Sequence, residues 1–166
     1  MISHNRFRKI LVQIVEPSLL PLGYEFVGSL PDKPDSAENI PSMSFFRKRL
    51  WEDVFGFVSF QKLNMHAALP GEKFAQSFNV DLWRNKGPQP HHGYGSNEYR
   101  NWLLVPLGQL LWAVLDIKVY SWQYHTWGFS TPDDLSRQLR DAVEKLLEYG
   151  IPWLENPESK NPYPSR

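Results

Sequence analysis

The chain has 166 residues, of which 42% are hydrophobic and 22% charged, so its composition is that of a globular protein and excludes a disordered chain. Eighteen Lys and Arg balance eighteen Asp and Glu, which leaves no net charge to attract nucleic acid or an anionic membrane. The absence of cysteine excludes disulfides and thiolate chemistry, and it favours a reducing compartment. We therefore expect a cytoplasmic protein.

The N-terminal part predicts a helix followed by a strand. From Phe7 to Leu22 apolar residues recur every three or four positions, which is typical of a helix with one buried face. Pro17 lies inside this pattern and predicts a bend, and Gly23 is a natural end for the helix. The aromatic stretch from Tyr24 to Val27 predicts a short first strand, and the proline-rich segment from Ser29 to Ser42 predicts a loop.

Three further strands are predicted in the middle of the chain. The segments Ser44 to Leu50 and Val54 to Leu63 are rich in β-forming residues, and the short link between them predicts a hairpin. In the next segment, from Phe74 to Trp83, apolar residues alternate with Asn79 and Asp81. This alternation predicts a strand with one face in water.

The second half predicts a loop, a strand and a final helix. The segment from Asn85 to Asn101 is rich in Gly and Pro and predicts a long loop. A buried helix is expected to begin near Pro106, and Ile117 to Thr126 predicts the last strand. Thr131 followed by proline and two acids is a strong helix start, and Gly150 is the expected end of that helix.

Taken in order, these elements predict an α+β fold, a two-layer sandwich. It has an antiparallel sheet of four to five strands, with the N-terminal and C-terminal helices packed on one face. We expect one domain over residues 1–156 and a disordered tail over residues 157–166. No run of residues approaches the roughly 20 apolar positions of a membrane-spanning helix, so we expect no membrane partner.

Four segments carry a resemblance to a protein family. They are Phe7 to Gly23 with the following Tyr24-Glu25-Phe26, then Phe45-Phe46-Arg47, Leu107-Gly108-Gln109-Leu110, and Gly150-Ile151-Pro152-Trp153-Leu154. Through them the chain resembles the bacterial domain of unknown function 4304 family. Some members of this family look like immunity proteins encoded beside secreted toxins. The resemblance therefore implies a protein that neutralises a toxin by binding it.

Catalytic and metal-binding motifs are weak in this sequence. It contains neither a phosphate-binding glycine loop nor a nucleophile elbow. His91 and His92 are the only adjacent pair of histidines, with His66 and His125 available to join them in space. Adjacent histidines on an extended chain point in opposite directions, so a solvated loop is the favoured interpretation. We expect no catalytic residue and no cofactor.

Two groups of residues are candidates for partner binding. Arg47 and Arg49 share one face of a strand and could form a small basic ridge, although a charged edge strand that resists aggregation is the favoured interpretation. The second group is aromatic and lies at or near the last predicted strand: Tyr120, Trp122, Tyr124 and Trp127. On the open face of a sheet these rings would suit a protein partner, whereas on the other face they would form core.

The leading hypothesis is a non-enzymatic protein-interaction domain with an unknown protein partner, and the resemblance makes an immunity protein its most concrete form. The main alternative is a small hydrolase or nuclease-like enzyme that uses His91, His92 or His125 with a carboxylate. A third hypothesis is RNA binding through stacked aromatics, and the balanced charge counts against it.

Overall fold

The computed structural model describes residues 1–29, 43–63, 76–88, 103–111 and 126–160. These residues confirm the expected α+β class, with an antiparallel sheet and helices packed on it. The elements are α1 (His4–Leu19), β1 (Glu25–Ser29), β2 (Met43–Trp51), β3 (Val54–Leu63), β4 (Gln76–Lys86), β5 (Leu103–Pro106), α2 (Leu107–Gln109), β6 (Trp127–Phe129), α3 (Pro132–Lys145) and α4 (Ile151–Glu155).

The described sheet has six strands, and every pair in it is antiparallel. The strands β1, β2, β3 and β4 lie side by side in chain order, and β5 and β6 both pair with the far edge of β4. A two-residue turn joins β2 to β3, and Glu52 in that turn has a positive φ of 39°. Among the described strands, β1 is therefore the outer one on its side of the sheet.

Helix α1 buries the stripe that the sequence predicts. Phe7, Leu11, Val15 and Leu19 are all buried, and Ser3 caps the helix by accepting a hydrogen bond from the backbone of Arg6. The helix continues past Pro17, a short 3-10 turn follows, and Gly23 ends it with a left-handed φ of 88°. The expected helix end at Gly23 is confirmed.

The start of α3 follows the prediction, whereas its expected end is wrong. The hydroxyl of Thr131 accepts from the backbone of Asp134, whose carboxylate accepts from the backbone of Thr131, a reciprocal capping box. At the other end, one π-helical turn, Leu146–Gly150, leads directly into α4. A Cβ at position 150 would lie 2.9 to 3.2 Å from the side chains of Leu146, Leu107 and Leu82. Glycine at 150 serves close packing and does not stop the helix.

The main core lies between the sheet and the helices. The buried faces of α1 and α3 pack against side chains from the sheet that point to the same side: Phe46, Val58, Phe60, Phe78, Val80 and Leu82. Within it, the ring of Phe7 stacks on Phe129 at 6.1 Å and lies 5.9 Å from Phe78. None of the described helices is both long enough and apolar enough to cross a membrane.

A polar contact joins the chain after α1 to the end of α4. The hydroxyl of Tyr24 donates to Glu155 at 3.1 Å, and Lys48 from β2 binds the same carboxylate at 2.7 Å. The Lys48 ammonium also lies 5.4 Å from the centre of the Tyr24 ring. Burial, with the nearby Glu155 charge second, raises the pKa of Tyr24, so its hydroxyl remains a donor.

Arg84 fastens the C-terminal end of α4 to the sheet. Its guanidinium donates to the carbonyls of Leu154 at 3.0 Å, Asn156 at 2.8 Å and Ser159 at 3.1 Å, and it lies 5.0 Å from the ring centre of Trp51. Burial lowers the pKa of Arg84. The carbonyl end of a helix carries partial negative charge, so these oxygens suit a buried cation.

Two expected boundaries lie near this contact. Strand β4 continues to Lys86, because Asn85 and Lys86 pair with Phe55 and Val54 of β3, so the prediction of a loop from Asn85 is wrong at its first two residues. The domain boundary at 156 stays a prediction. The first residues beyond it, however, include the Ser159 carbonyl that Arg84 holds.

We expect Arg84→Met to lower the free energy of unfolding by about 2–4 kcal/mol, because three backbone carbonyls lose a charged donor. Arg84→Lys should lose less, since an ammonium keeps the charge without the planar fork. Urea unfolding of the three proteins, followed by circular dichroism, measures the differences. A methionine variant as stable as the wild type would show that the contact contributes nothing.

Candidate functional site

The side of the sheet that points away from the helices, here called the second face, is buried over its centre. Phe45, Phe57 and Trp83 point to this side, are all buried and form an aromatic cluster. The sequence predicts water on one face of β4, and this prediction is wrong at Asp81, which is only 7% exposed. The central strands β3 and β4 are thus enclosed on both sides.

The registers of the sheet place four residues in one row across the second face. Phe45 of β2 lies opposite Ser59 of β3, Ser59 lies opposite Asp81 of β4, and Asp81 lies opposite Pro106 of β5. Residues directly opposite each other on neighbouring strands have Cβ atoms about 4.5–5.5 Å apart. Ser59 and Asp81 are therefore direct neighbours at the middle of the sheet.

The aromatic cluster spans strand β3 next to Ser59. Strands β2 and β4 are separated by β3 and so lie about 10 Å apart, yet the ring centres of Phe45 and Trp83 are 5.3 Å apart. The two rings therefore lean toward each other across β3. Serine at 59 leaves the space they need, and its side chain has no exposed surface.

Asp81 is a buried carboxyl with no cation on its row. Asn79, the next residue on the same face of β4, donates its amide to the two carboxylate oxygens at 3.3 and 3.5 Å, the long end of the hydrogen-bond range. Burial raises the pKa of Asp81 from 3.8 to about 7. At neutral pH the group therefore titrates between its protonated and charged forms, as general acids and bases do.

Several polar atoms on this face of β3 and β4 are buried and unpaired. Within the described part of the chain, the Ser59 hydroxyl, the Asn79 carbonyl oxygen and the Ser77 hydroxyl are enclosed without a hydrogen-bond partner. Buried polar groups are nearly always paired in folded proteins, so each such atom calls for an explanation. We refer to Ser59, Asn79 and Asp81 together as the polar patch.

The predicted basic ridge is only partly available for binding. The guanidinium of Arg47 binds Glu25 at 2.6 Å and the carbonyl of Pro88 at 2.7 Å, so its charge is already paired within the fold. Arg49 is exposed and donates to the backbone carbonyl of Glu52 in the hairpin turn. Of the two arginines, Arg49 is the one that presents its charge to solvent.

Trp127, a predicted partner-binding residue, lies in the core. It is buried, its ring stacks on Phe78 with centres 5.6 Å apart, and its indole nitrogen donates to Asp141 of α3 at 2.9 Å. The other predicted residues, Tyr120, Trp122, Tyr124, His91 and His92, lie outside the described residues, as does His125. The described ranges contain no group of three potential metal ligands.

Exposed large hydrophobic residues recur in one short stretch of the chain, from the turn after α1 into β1. Leu20 and Leu22, in the turn after α1, are 56% and 40% exposed, and Val27 on β1 is 37% exposed. Three of the five exposed large hydrophobic residues described thus fall within eight positions of the chain. We call these three residues the edge corner, because they lie at the helix end and on the strand that follows.

The raised pKa of Asp81 predicts a particular dependence of stability on pH. The unfolded carboxyl ionises near pH 3.8, whereas the folded one keeps its proton to about pH 7. Between these values the unfolded state binds fewer protons. The free energy of unfolding should therefore fall as pH rises, by at most ~1.4 kcal/mol per unit. Asp81→Asn should remove this fall, as measured by urea unfolding from pH 4 to pH 7.5.

The exposed Asp53→Asn serves as the control for loss of one carboxyl, and it should retain the wild-type slope. An unchanged slope in Asp81→Asn would show that the Asp81 carboxyl does not titrate as its burial implies.

No family model matches the chain, and none of the curated proteins or solved structures matches it either. Function therefore has to be inferred from the described residues and from the resemblance in the sequence.

Proposed function

We propose that this chain is a non-enzymatic protein-interaction domain that acts in the cytoplasm as an immunity protein, neutralising a toxin by binding it. The observation that carries the proposal is the edge corner, where apolar side chains are exposed next to one another in the sequence. Exposed apolar surface that is concentrated in one place is typical of sites where proteins bind each other. The resemblance of the sequence supplies the class of partner.

The geometry of β1 favours binding through side chains over the addition of a strand. The strand has five residues, and its pairing with β2 shifts between Phe26 and Gly28, where Gly28 has a left-handed φ of 90°. Short, bulged edge strands resist pairing with another chain. A partner would therefore pack on Leu20, Leu22 and Val27 without pairing with the outer edge of β1.

The polar and aromatic candidates would surround this apolar contact. Arg49 presents an exposed cation on the neighbouring strand β2, and exposed arginines often form the polar rim of an interface. Tyr120, Trp122 and Tyr124 remain proposed contacts on the basis of their spacing in the sequence. Because Trp127 is buried, we leave it out of the proposed interface.

The test is affinity capture from the native cell, followed by reconstitution with the purified partner. We expect one protein to form a stable complex with the wild type. The double variant Leu20→Asp, Val27→Asp should bind it at least a hundredfold more weakly, because two charges would be buried at the contact. Calorimetry with purified components measures the affinities.

Leu147→Asp is the control, because Leu147 lies on the helical side of the molecule and its 38% exposure matches the 37% of Val27. It should bind as the wild type does. Cells that express the captured partner should grow only when the wild type or this control is present. A partner that binds the corner variant with wild-type affinity, or one that is harmless to cells, would contradict the proposal.

A further inference from the structure

The polar patch has chemistry that the proposed protein interaction does not use. Asp81 is 7% exposed, Ser59 has no exposed surface, and Asn79 lies beside them on the same face. In the described part of the chain, the Ser59 hydroxyl and the Asn79 carbonyl oxygen have no partner, and only the Asn79 amide donates to Asp81. The patch therefore offers three acceptor groups, and only the Asp81 carboxylate accepts a hydrogen bond.

Such a set of acceptors selects for a ligand that donates hydrogen bonds and carries positive charge. A carboxylate and an amide carbonyl accept only, and a serine hydroxyl can do so as well. An ammonium group has three donors and no acceptor, so it complements all three oxygens. No described cation on the patch competes for the carboxylate, because the nearest arginine on this face, Arg47, lies in the next row and binds Glu25.

The aromatic cluster favours an organic cation over a metal ion. Phe45 is in the same row as Ser59 and Asp81, and Trp83 is the next residue after Asp81 on the same face. Aromatic rings attract alkylammonium groups through their faces. Calcium and magnesium need six or more oxygen ligands and usually several carboxylates, and the patch supplies one carboxylate.

We propose that Ser59, Asn79 and Asp81, together with the rings of Phe45 and Trp83, form a binding site for a small alkylammonium ion. Asp81 supplies the charge, Ser59 and Asn79 accept the ammonium hydrogens, and the rings contact the alkyl groups. This site lies on the second face and is separate from the edge corner.

Thermal unfolding of the full chain, with added methylammonium or ethylammonium chloride, tests the site, because both cations keep three N–H donors. Sodium chloride at the same concentration controls for ionic strength. We expect the melting temperature to rise to a saturating value with at least one of the two alkylammonium salts, relative to the sodium salt. Asp81→Asn, which keeps the shape of the side chain, should lose the shift. Asp53→Asn removes an exposed carboxylate in the turn between β2 and β3, outside the site, and it should keep the wild-type shift.

The proposal is overturned if neither cation gives a saturable shift, or if Asp81→Asn responds as the wild type does. Should Asp81→Asn fail to fold, Asn79→Ala replaces it in the same titration. We expect that variant to bind the cation at least tenfold more weakly, and wild-type affinity in it would also overturn the site. The titrations of both variants are independent of partner capture. Failure of the cation site would therefore leave the proposed protein interaction untouched, and the reverse also holds.

Discussion

The enclosure of β3 and β4 on both faces is the constraint on which the rest of the structure depends. Because both faces of these strands are buried over their centre, a polar side chain there has to find a partner inside the protein or remain unpaired. Two charged residues of β4 show both outcomes. Arg84, on the helical face, binds three carbonyls at and just after the end of α4, whereas Asp81, on the second face, has only long contacts with the Asn79 amide.

The two outcomes have different consequences for stability. The Arg84 contact ties the C-terminal helix to the sheet, so the burial of this cation contributes to the fold. The Asp81 carboxyl contributes no comparable contact, and its burial opposes folding as soon as it ionises. Proteins tolerate such groups where function requires them, which is the reason to place a binding site around Asp81 and not around Arg84.

Much of the fold could be predicted from the sequence because local signals agreed with the final packing. The bounds of β3 were predicted in full, and the start of α3 follows from its cap, whereas α1 begins at His4, three residues before the predicted Phe7. The prediction failed where a residue serves a distant contact. Gly150 has the sequence signature of a helix end, but its role depends on Leu82 and Leu107, which lie far away in the chain.

The polar patch could not be predicted for a similar reason. In β4 polar residues alternate with apolar ones, and this pattern indicates a strand with one wet face. Which polar residues stay in water depends on what covers the second face, and alternation carries no such information. Ser59 lies opposite Phe45 of the neighbouring strand, which indicates a small polar residue beneath an aromatic cluster. This arrangement can be recognised only when the register of β2, β3 and β4 is known.

The edge corner and the polar patch are proposed to bind two different partners. The corner is exposed and apolar and suits a protein, whereas the patch is enclosed and acidic and suits a small cation. Both depend on the same sheet, since β1 forms its outer edge and β3 and β4 form its centre. A ligand that stabilises the centre would therefore stabilise the scaffold that presents the corner.

The enclosure of Asp81 is the central claim, and an NMR titration of its side-chain carboxyl tests it most directly. Carbon-13 shifts of the Asp carboxyls, with Asp81 assigned by comparison with Asp81→Asn, would be followed from pH 3 to pH 9. A midpoint at about 7 is the predicted result. A midpoint near the ordinary value of 3.8 would show that this carboxyl is in contact with water and would contradict the account.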